Sequence, residues 1–309
     1  MINQTCFICL IFVYAIGIIS VEAQEQATKL QPVGEEAYQV MLQFFQYDKD
    51  IPLNVRIVEK TEMEKCVREK IIFTGIRNSR VPGYFAFPKN GKPPYPCVLL
   101  LHGYTASKSS FWEDVQDAVD YEWKYAQISN GILSEGYAVL ALDMPYHGER
   151  AFVRDYEPPN NILRNNWIIK ALDMIAWSTI DYRKAIDYLT TRADIDSTRI
   201  GVLGMSGGGW ITFMLTAVEP RVKVSVSTVT PISIYQNRYG IVTTNFAPRI
   251  MSPFLMIMGR EDEWYTVDSA EHLYDLINSP IKNIIWYNSG HNLPIEHVED
   301  VINWFNEHL

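Results

Sequence analysis

The sequence predicts an α/β domain built on a mostly parallel sheet with helices on both faces. Three observations carry this. First, six short apolar runs recur along the chain: Val98–Leu101, Tyr137–Leu142, Ile200–Leu203, Val222–Val229, Phe254–Met258 and Asn283–Tyr287. Runs of that length, without polar alternation, are the pattern of strands buried on both faces. Second, helical patterns separate the later runs. Asp181–Leu189 is amphipathic, with Ile180, Ala185, Ile186 and Leu189 on one face; Trp210–Val218 is apolar, and Ser269–Ile277 and Glu296–His308 are amphipathic again. Strands alternating with helices imply βαβ units and right-handed crossovers. Third, the residues suited to chemistry follow the runs directly. In such sheets ligands bind beyond the carboxyl ends of the strands.

The elements before residue 95 are of another kind. Glu35–Gln46 reads as a short helix. Two strand patterns, Cys66–Phe73 and Val81–Phe87, flank a turn at Gly75–Ser79 and suit a hairpin. No repeat, low-complexity tract or linker follows residue 30, so residues 24–309 are expected to form one domain, although about 150 residues per domain is the common length. Hydrophobic residues make up 48% and charged residues 20%, enough for a large core. The formal charge of −9 and the lack of a basic run argue against a nucleic-acid partner.

Residues 1–23 read as an export signal. Phe7–Ile19 is almost wholly apolar, short for a membrane span, and followed by Ser20-Val21-Glu22-Ala23 with small residues at −3 and −1. Cleavage is expected after Ala23, giving a secreted or periplasmic protein with no stable membrane span. The alternative is an uncleaved anchor, since the first residues carry no Lys or Arg. Cleavage would remove Cys6 and Cys9 and leave Cys66 and Cys97. Cys97 opens an apolar strand, which favours a buried free thiol over a disulfide.

Gly204-Met205-Ser206-Gly207-Gly208 lies between the Ile200–Leu203 strand and the Trp210–Val218 helix. GxSxG in that setting is a nucleophile elbow. The competing reading, a phosphate-binding βα turn, lacks the GxGxxG spacing. A serine nucleophile needs a base. Of the six histidines, His272, His297 and His308 fall in helical patterns, and His102 is better suited to bonding loop backbone. His291, in Ser289-Gly290-His291-Asn292 after the last strand, faces the same sheet edge as Ser206. The imidazole in turn needs a carboxylate. No Asp or Glu occurs between Glu219 and Glu261, so the acid comes from Glu261-Asp262-Glu263. Asp262 is expected to turn inward and its two neighbours outward. The oxyanion donors are assigned to the backbone N–H groups of Gly207 and Tyr104.

Taken together, Leu100-Leu101-His102-Gly103-Tyr104, Asp143-Met144-Pro145-Tyr146-His147-Gly148-Glu149-Arg150, the Ser206 elbow, Gly259-Arg260-Glu261-Asp262 and Ser289-Gly290-His291 resemble the α/β-hydrolase superfamily. The nearest likeness is to its dienelactone-hydrolase-like and acetyl-xylan-esterase-like serine carboxylesterases, over roughly residues 65–309. It departs from dienelactone hydrolase itself, whose nucleophile is Cys. The resemblance implies an α/β-hydrolase sheet of about eight strands that includes the early hairpin. It further implies that Asp143 and His147 brace a loop rather than react. The family's substrates range from acetylated sugars to thioesters, so the likeness names none; a small-molecule or carbohydrate ester is the expected substrate.

Tyr104, Tyr146, Trp210, Trp264 and Tyr265 adjoin the motifs. They suit an aromatic pocket or, equally, core packing; Tyr146, Trp210 and Trp264 are taken as the substrate-binding candidates. Two stretches, Ala151–Trp167 and Pro231–Arg249, read as long loops able to cover the site. No metal-ligand spacing occurs, so no metal and no cofactor is expected. The leading expectation is a serine esterase working through an acyl-enzyme. A peptidase of the prolyl-oligopeptidase type, a thioesterase and a non-catalytic binding protein are the alternatives.

Overall fold

The computed structural model describes residues 31–112, 124–151, 167–232 and 240–309, with backbone alone over 167–171. The proposed export segment, with Cys6 and Cys9, lies outside the described residues. So do residues 152–166 of the first expected covering loop and residues 233–239 of the second.

Among the described residues nine strands share one sheet: β1 Arg56–Glu62, β2 Cys66–Thr74, β3 Arg80–Pro88, β4 Tyr95–Leu101, β5 Ala138–Leu142, β6 Ile195–Met205, β7 Val222–Thr228, β8 Phe254–Gly259 and β9 Lys282–Tyr287. Their order is β1-β2-β3-β5-β4-β6-β7-β8-β9. Strands β4 to β9 run parallel, with Leu99 opposite Leu140 on one side and Val202 on the other. Strands β1 to β3 pair antiparallel with one another and β3 with β5, and β2 and β3 form the expected hairpin.

The expected sheet of about eight strands has nine. The added strand is β1, whose residues are nearly all exposed and include Arg56, Glu59, Lys60 and Glu62. A charged edge strand carries no buried face and therefore no apolar pattern to read. The same charges discourage edge-to-edge pairing with another chain.

Among the described residues the helices of eight residues or more are α1 Glu35–Leu42, α2 Tyr125–Ser134, α3 Trp167–Leu189, α4 Gly207–Val218, α5 Val267–Leu276 and α6 His297–His308. They explain why the parallel strands are apolar without alternation. Successive side chains of a strand point to opposite faces. Leu99 and Leu101 pack in one core layer with Ile186 of α3, Met214 of α4 and Leu273 of α5. Val98 and Leu100 pack in the other with Ile128 of α2 and Phe305 of α6. With both faces covered, either parity must be apolar. The helix α2 was not expected. Its Gln127, Ser129, Asn130 and Gly131 mask the period, and its apolar side is visible only once α6 lies against it.

Part of the second expected loop is core instead. A helical turn at Thr243–Phe246 buries Phe246, whose ring meets Phe45 and Tyr38 edge-on at 5.5 and 5.3 Å. Cys97 is a buried free thiol, as read from the sequence, and Cys66 is buried as well. Among the described residues no helix is long and apolar enough to cross a membrane.

Candidate active site

Ser206 sits between the end of β6 and the start of α4, at φ 54° and ψ −117°. A Cβ makes this region costly, by about 1–3 kcal/mol. The backbone is held there by two bonds. Ser206 N–H donates to the Thr228 carbonyl (2.9 Å), and the Ser206 carbonyl accepts from Trp210 N–H (3.1 Å). Two flanking glycines are required by contact. A Cβ at Gly204 would strike the Gly208 carbonyl and Thr212 Oγ1, and a Cβ at Gly208 would strike the Leu101 and His102 carbonyls. The tight turn aims Oγ outward with the N-terminus of α4 beneath it.

The loops after β8 and β9 are stitched together. Arg260 N–H donates to the Tyr287 carbonyl (2.9 Å) and Glu261 N–H to the Ser289 carbonyl (3.0 Å). This brings His291 over Ser206. His291 Nε2 lies 2.9 Å from Ser206 Oγ, and Nδ1 lies 2.7 Å from Asp262 Oδ2. The Asp262 carboxylate is fully buried, and its other oxygen accepts from Trp264 N–H at 2.9 Å. Glu261 and Glu263 are exposed. Behind Asp262, the Tyr265 hydroxyl accepts from Gly259 N–H (2.8 Å). Burial and the neighbouring carboxylate raise its pKa, so it stays a neutral phenol.

The loop after β4 lies against this group. A Cβ built on Gly103 would come 3.3 Å from Ser206 Cβ, and one on Gly207 would come 2.9 Å from the Tyr104 ring. Tyr104 and Gly207 are thus adjacent beside Ser206. Of the three substrate-binding candidates, Trp264 is half exposed, with its ring 6.2 Å from the His291 ring. Tyr146 is partly buried at a left-handed φ of 69°. Its phenol pKa is raised by burial and by the Asp173 carboxylate. Trp210, by contrast, is 1% exposed and packs in the core layer beneath α4.

Behind these loops lies a buried charge network that sequence reasoning saw only at Asp143. Asp143 accepts from the Lys108 backbone N–H (3.0 Å), Lys108 Nζ (2.8 Å) and Glu149 N–H (2.9 Å). Lys108 Nζ also reaches Glu149 (2.8 Å), and Arg150 pairs with the buried Asp181 (2.7 Å). Burial alone would lower the Lys108 pKa, but the Asp143 and Glu149 carboxylates together outweigh it and the net shift is upward. Breaking such a pair from one side leaves a buried charge uncompensated. A lone Lys in a loop gives no signal of this in sequence.

His102, His147 and His297 are buried, and burial holds each below the ordinary histidine value of 6.5. The sign follows from linkage. Below pH 6.5 the unfolded chain takes up protons at these rings that the folded chain refuses, so stability falls on acidification. The thermal midpoint is expected to hold above about pH 6.5 and to decline from there towards about pH 5. A midpoint that rises over this range would contradict the assignment.

The sheet order, the elbow and the placement of Ser206, Asp262 and His291 after β6, β8 and β9 define an α/β-hydrolase fold. Solved structures with this fold include acetyl xylan esterase 1 from Thermoanaerobacterium sp. JW/SL YS485. It is 20% identical with a TM-score of 0.69, and the match covers 91% of this chain and 96% of that one. An acetyl xylan esterase from Paenibacillus sp. R4 is 16% identical with a TM-score of 0.68, covering 92% and 99%. Residues 45–245 match the acetyl xylan esterase (AXE1) family, and the chain belongs to that family. The matched stretch holds Tyr104, Ser206 and Gly207 and ends before Asp262 and His291. Among curated proteins, the Bacillus subtilis (strain 168) protein named "Putative hydrolase YtaP" is 29% identical over 175 residues. That match covers 57% of this chain and 56% of the relative, little more than half its length.

Proposed function

We propose that this protein is a serine esterase that cleaves carboxylic esters through an acyl-enzyme. The observation that carries the reading is the continuous chain from Ser206 Oγ through both ring nitrogens of His291 to Asp262, at 2.9 and 2.7 Å. In the reading, His291 Nε2 takes the Ser206 proton as Oγ attacks the ester carbonyl. The negative charge that develops on the carbonyl oxygen is met by the N–H groups of Gly207 and Tyr104. His291 then passes its proton to the departing alcohol, leaving the acyl group on Ser206. Water, deprotonated by the same nitrogen, releases the acid and restores Oγ–H. Asp262 keeps the second proton on Nδ1 and stabilises the imidazolium.

Family membership supports an ester of small acyl groups on carbohydrate as the substrate. Trp264 adds to this. Its exposed ring lies beside His291 and offers a flat apolar face there. The apolar segment at residues 7–19 supports action outside the cytoplasm.

A substrate panel tests the reading. The purified protein is expected to release acetate from acetylated xylan and from para-nitrophenyl acetate. It is expected to leave peptide para-nitroanilides and acyl thioesters largely untouched, and to be labelled at Ser206 by a fluorophosphonate. Labelling with a preference for peptides would make it a peptidase, and a preference for thioesters a thioesterase. Absence of labelling and of turnover would make the site a binding site.

A further inference from the structure

Two buried imidazoles lie behind the loop that carries Tyr104, their ring centroids 5.2 Å apart. His102 Nδ1 is 2.8 Å from the Gly103 carbonyl, and its Nε2 is 3.2 Å from Met144 N. The backbone N–H of Met144 can only donate, so Nε2 must be the acceptor and the proton sits on Nδ1. The ring is fully buried, and burial together with the neighbouring His147 keeps it uncharged. His102 therefore donates to Gly103, and Ala106 N–H donates to the same carbonyl at 3.3 Å.

That carbonyl belongs to the peptide unit whose other end is Tyr104 N–H. In a planar trans peptide the C=O and N–H point in opposite directions. Holding the Gly103 oxygen back towards His102 therefore turns the Tyr104 N–H the other way, out of the loop. The two neighbouring peptide units are gripped as well. Gly103 N–H donates to the Tyr125 hydroxyl at 2.7 Å, and the Tyr104 carbonyl lies 2.7 Å from His147 Nε2. His147 Nδ1 in turn faces the Pro145 carbonyl at 2.8 Å.

We propose that His102 is a positioning residue of the oxyanion hole, whose Nδ1–H sets the direction of the Tyr104 N–H through the Gly103 carbonyl. The proposal rests on the assignment of Tyr104 N–H as an oxyanion donor. It gives His102 a part in the rate without contact with substrate.

Two near-isosteric substitutions separate this role from simple bracing. In His102→Asn the side-chain amide can take the place of Nδ1 and donate to Gly103, while the bond from Met144 is lost. In His102→Gln the longer amide oxygen can take the place of Nε2 and accept from Met144, while the donor to Gly103 is lost. The expected result is a kcat within about 3-fold of wild type for Asn, and a fall of about 10²-fold for Gln with KM little changed, as for loss of one oxyanion donor. Affinity for a trifluoromethyl ketone, which forms a tetrahedral oxyanion on the serine, should fall in step with kcat for Gln and be kept for Asn. A purely structural role would show the reverse order, or equal losses that track the thermal midpoint, and would overturn the proposal. One measurement needs no variant: nitrogen NMR of the wild-type ring should show the Nδ1–H tautomer, and an Nε2–H tautomer would overturn it. Wild-type turnover and fluorophosphonate labelling are recorded alongside. If the wild type shows neither, the esterase reading fails and this proposal with it. If the wild type is active and Gln matches it, only the positioning role fails.

Discussion

Ser206→Ala is expected to lower kcat for ester hydrolysis by about 10⁶-fold, the scale seen when a serine nucleophile is removed elsewhere. The residual rate would come from binding and from the oxyanion donors alone, because members of such a group do not contribute additively. The substitution keeps Cβ, and with it the backbone conformation at φ 54°. Ser206→Gly removes Cβ as well. It should be as inactive as the Ala variant yet more thermostable, because glycine occupies this region with little strain. The relief of about 1–3 kcal/mol exceeds the added chain entropy of about 0.5–1 kcal/mol. Steady-state kinetics and a thermal melt check both halves. An Ala variant retaining a tenth of wild-type activity would remove Ser206 from the mechanism, and a Gly variant that melts below Ala would remove strain from the account of the elbow.

The second large effect concerns the acid. Asp262→Asn is expected to cost up to about 10⁴-fold in kcat with the fold intact. An amide in place of the carboxylate can donate to His291 Nδ1, which puts the ring proton on Nε2 and leaves no acceptor for Ser206. Glu261→Gln and Glu263→Gln should each change kcat by less than about 2-fold, since exposed charges contribute little. The three carboxylates occupy consecutive positions, so the comparison is sharp. Inactivation by Glu261→Gln or Glu263→Gln, with Asp262→Asn still active, would reassign the acid. Circular dichroism on each variant separates loss of chemistry from loss of fold.

How much of this was legible beforehand differs element by element, and the differences have physical causes. The six parallel strands were readable because a strand covered on both faces must be apolar at every position, whatever its neighbours. The meeting of Ser206, Asp262 and His291 was readable because an elbow needs small residues around its serine, and because the supply of acids between Glu219 and Glu261 is nil. The residues that accompany them were not. Trp210 adjoins the elbow in sequence, yet it is 1% exposed in the core. Trp264, two residues before the Thr266 N-cap of α5, stays half exposed. Position along the chain does not distinguish them; the direction of each side chain does.

What the sequence determined by itself is therefore the α/β class, the order of the parallel strands' loops along the chain, and the loops on which Ser206, Asp262 and His291 meet. These depend on local requirements: burial on two faces, tolerance of a tight turn, and the chemistry a nucleophile needs. The tertiary structure alone decided the edge strand β1, the helix α2, and the depth of Trp210. It alone also decided the supports behind the oxyanion loop. Lys108 meets Asp143 across 35 positions, and His102 meets Met144 across 42. Each of those residues is ordinary in its own neighbourhood. A buried ion pair or a ring held between two backbones exists only when distant segments are brought together, because its free energy depends on what surrounds it in space and not on what precedes it in the chain.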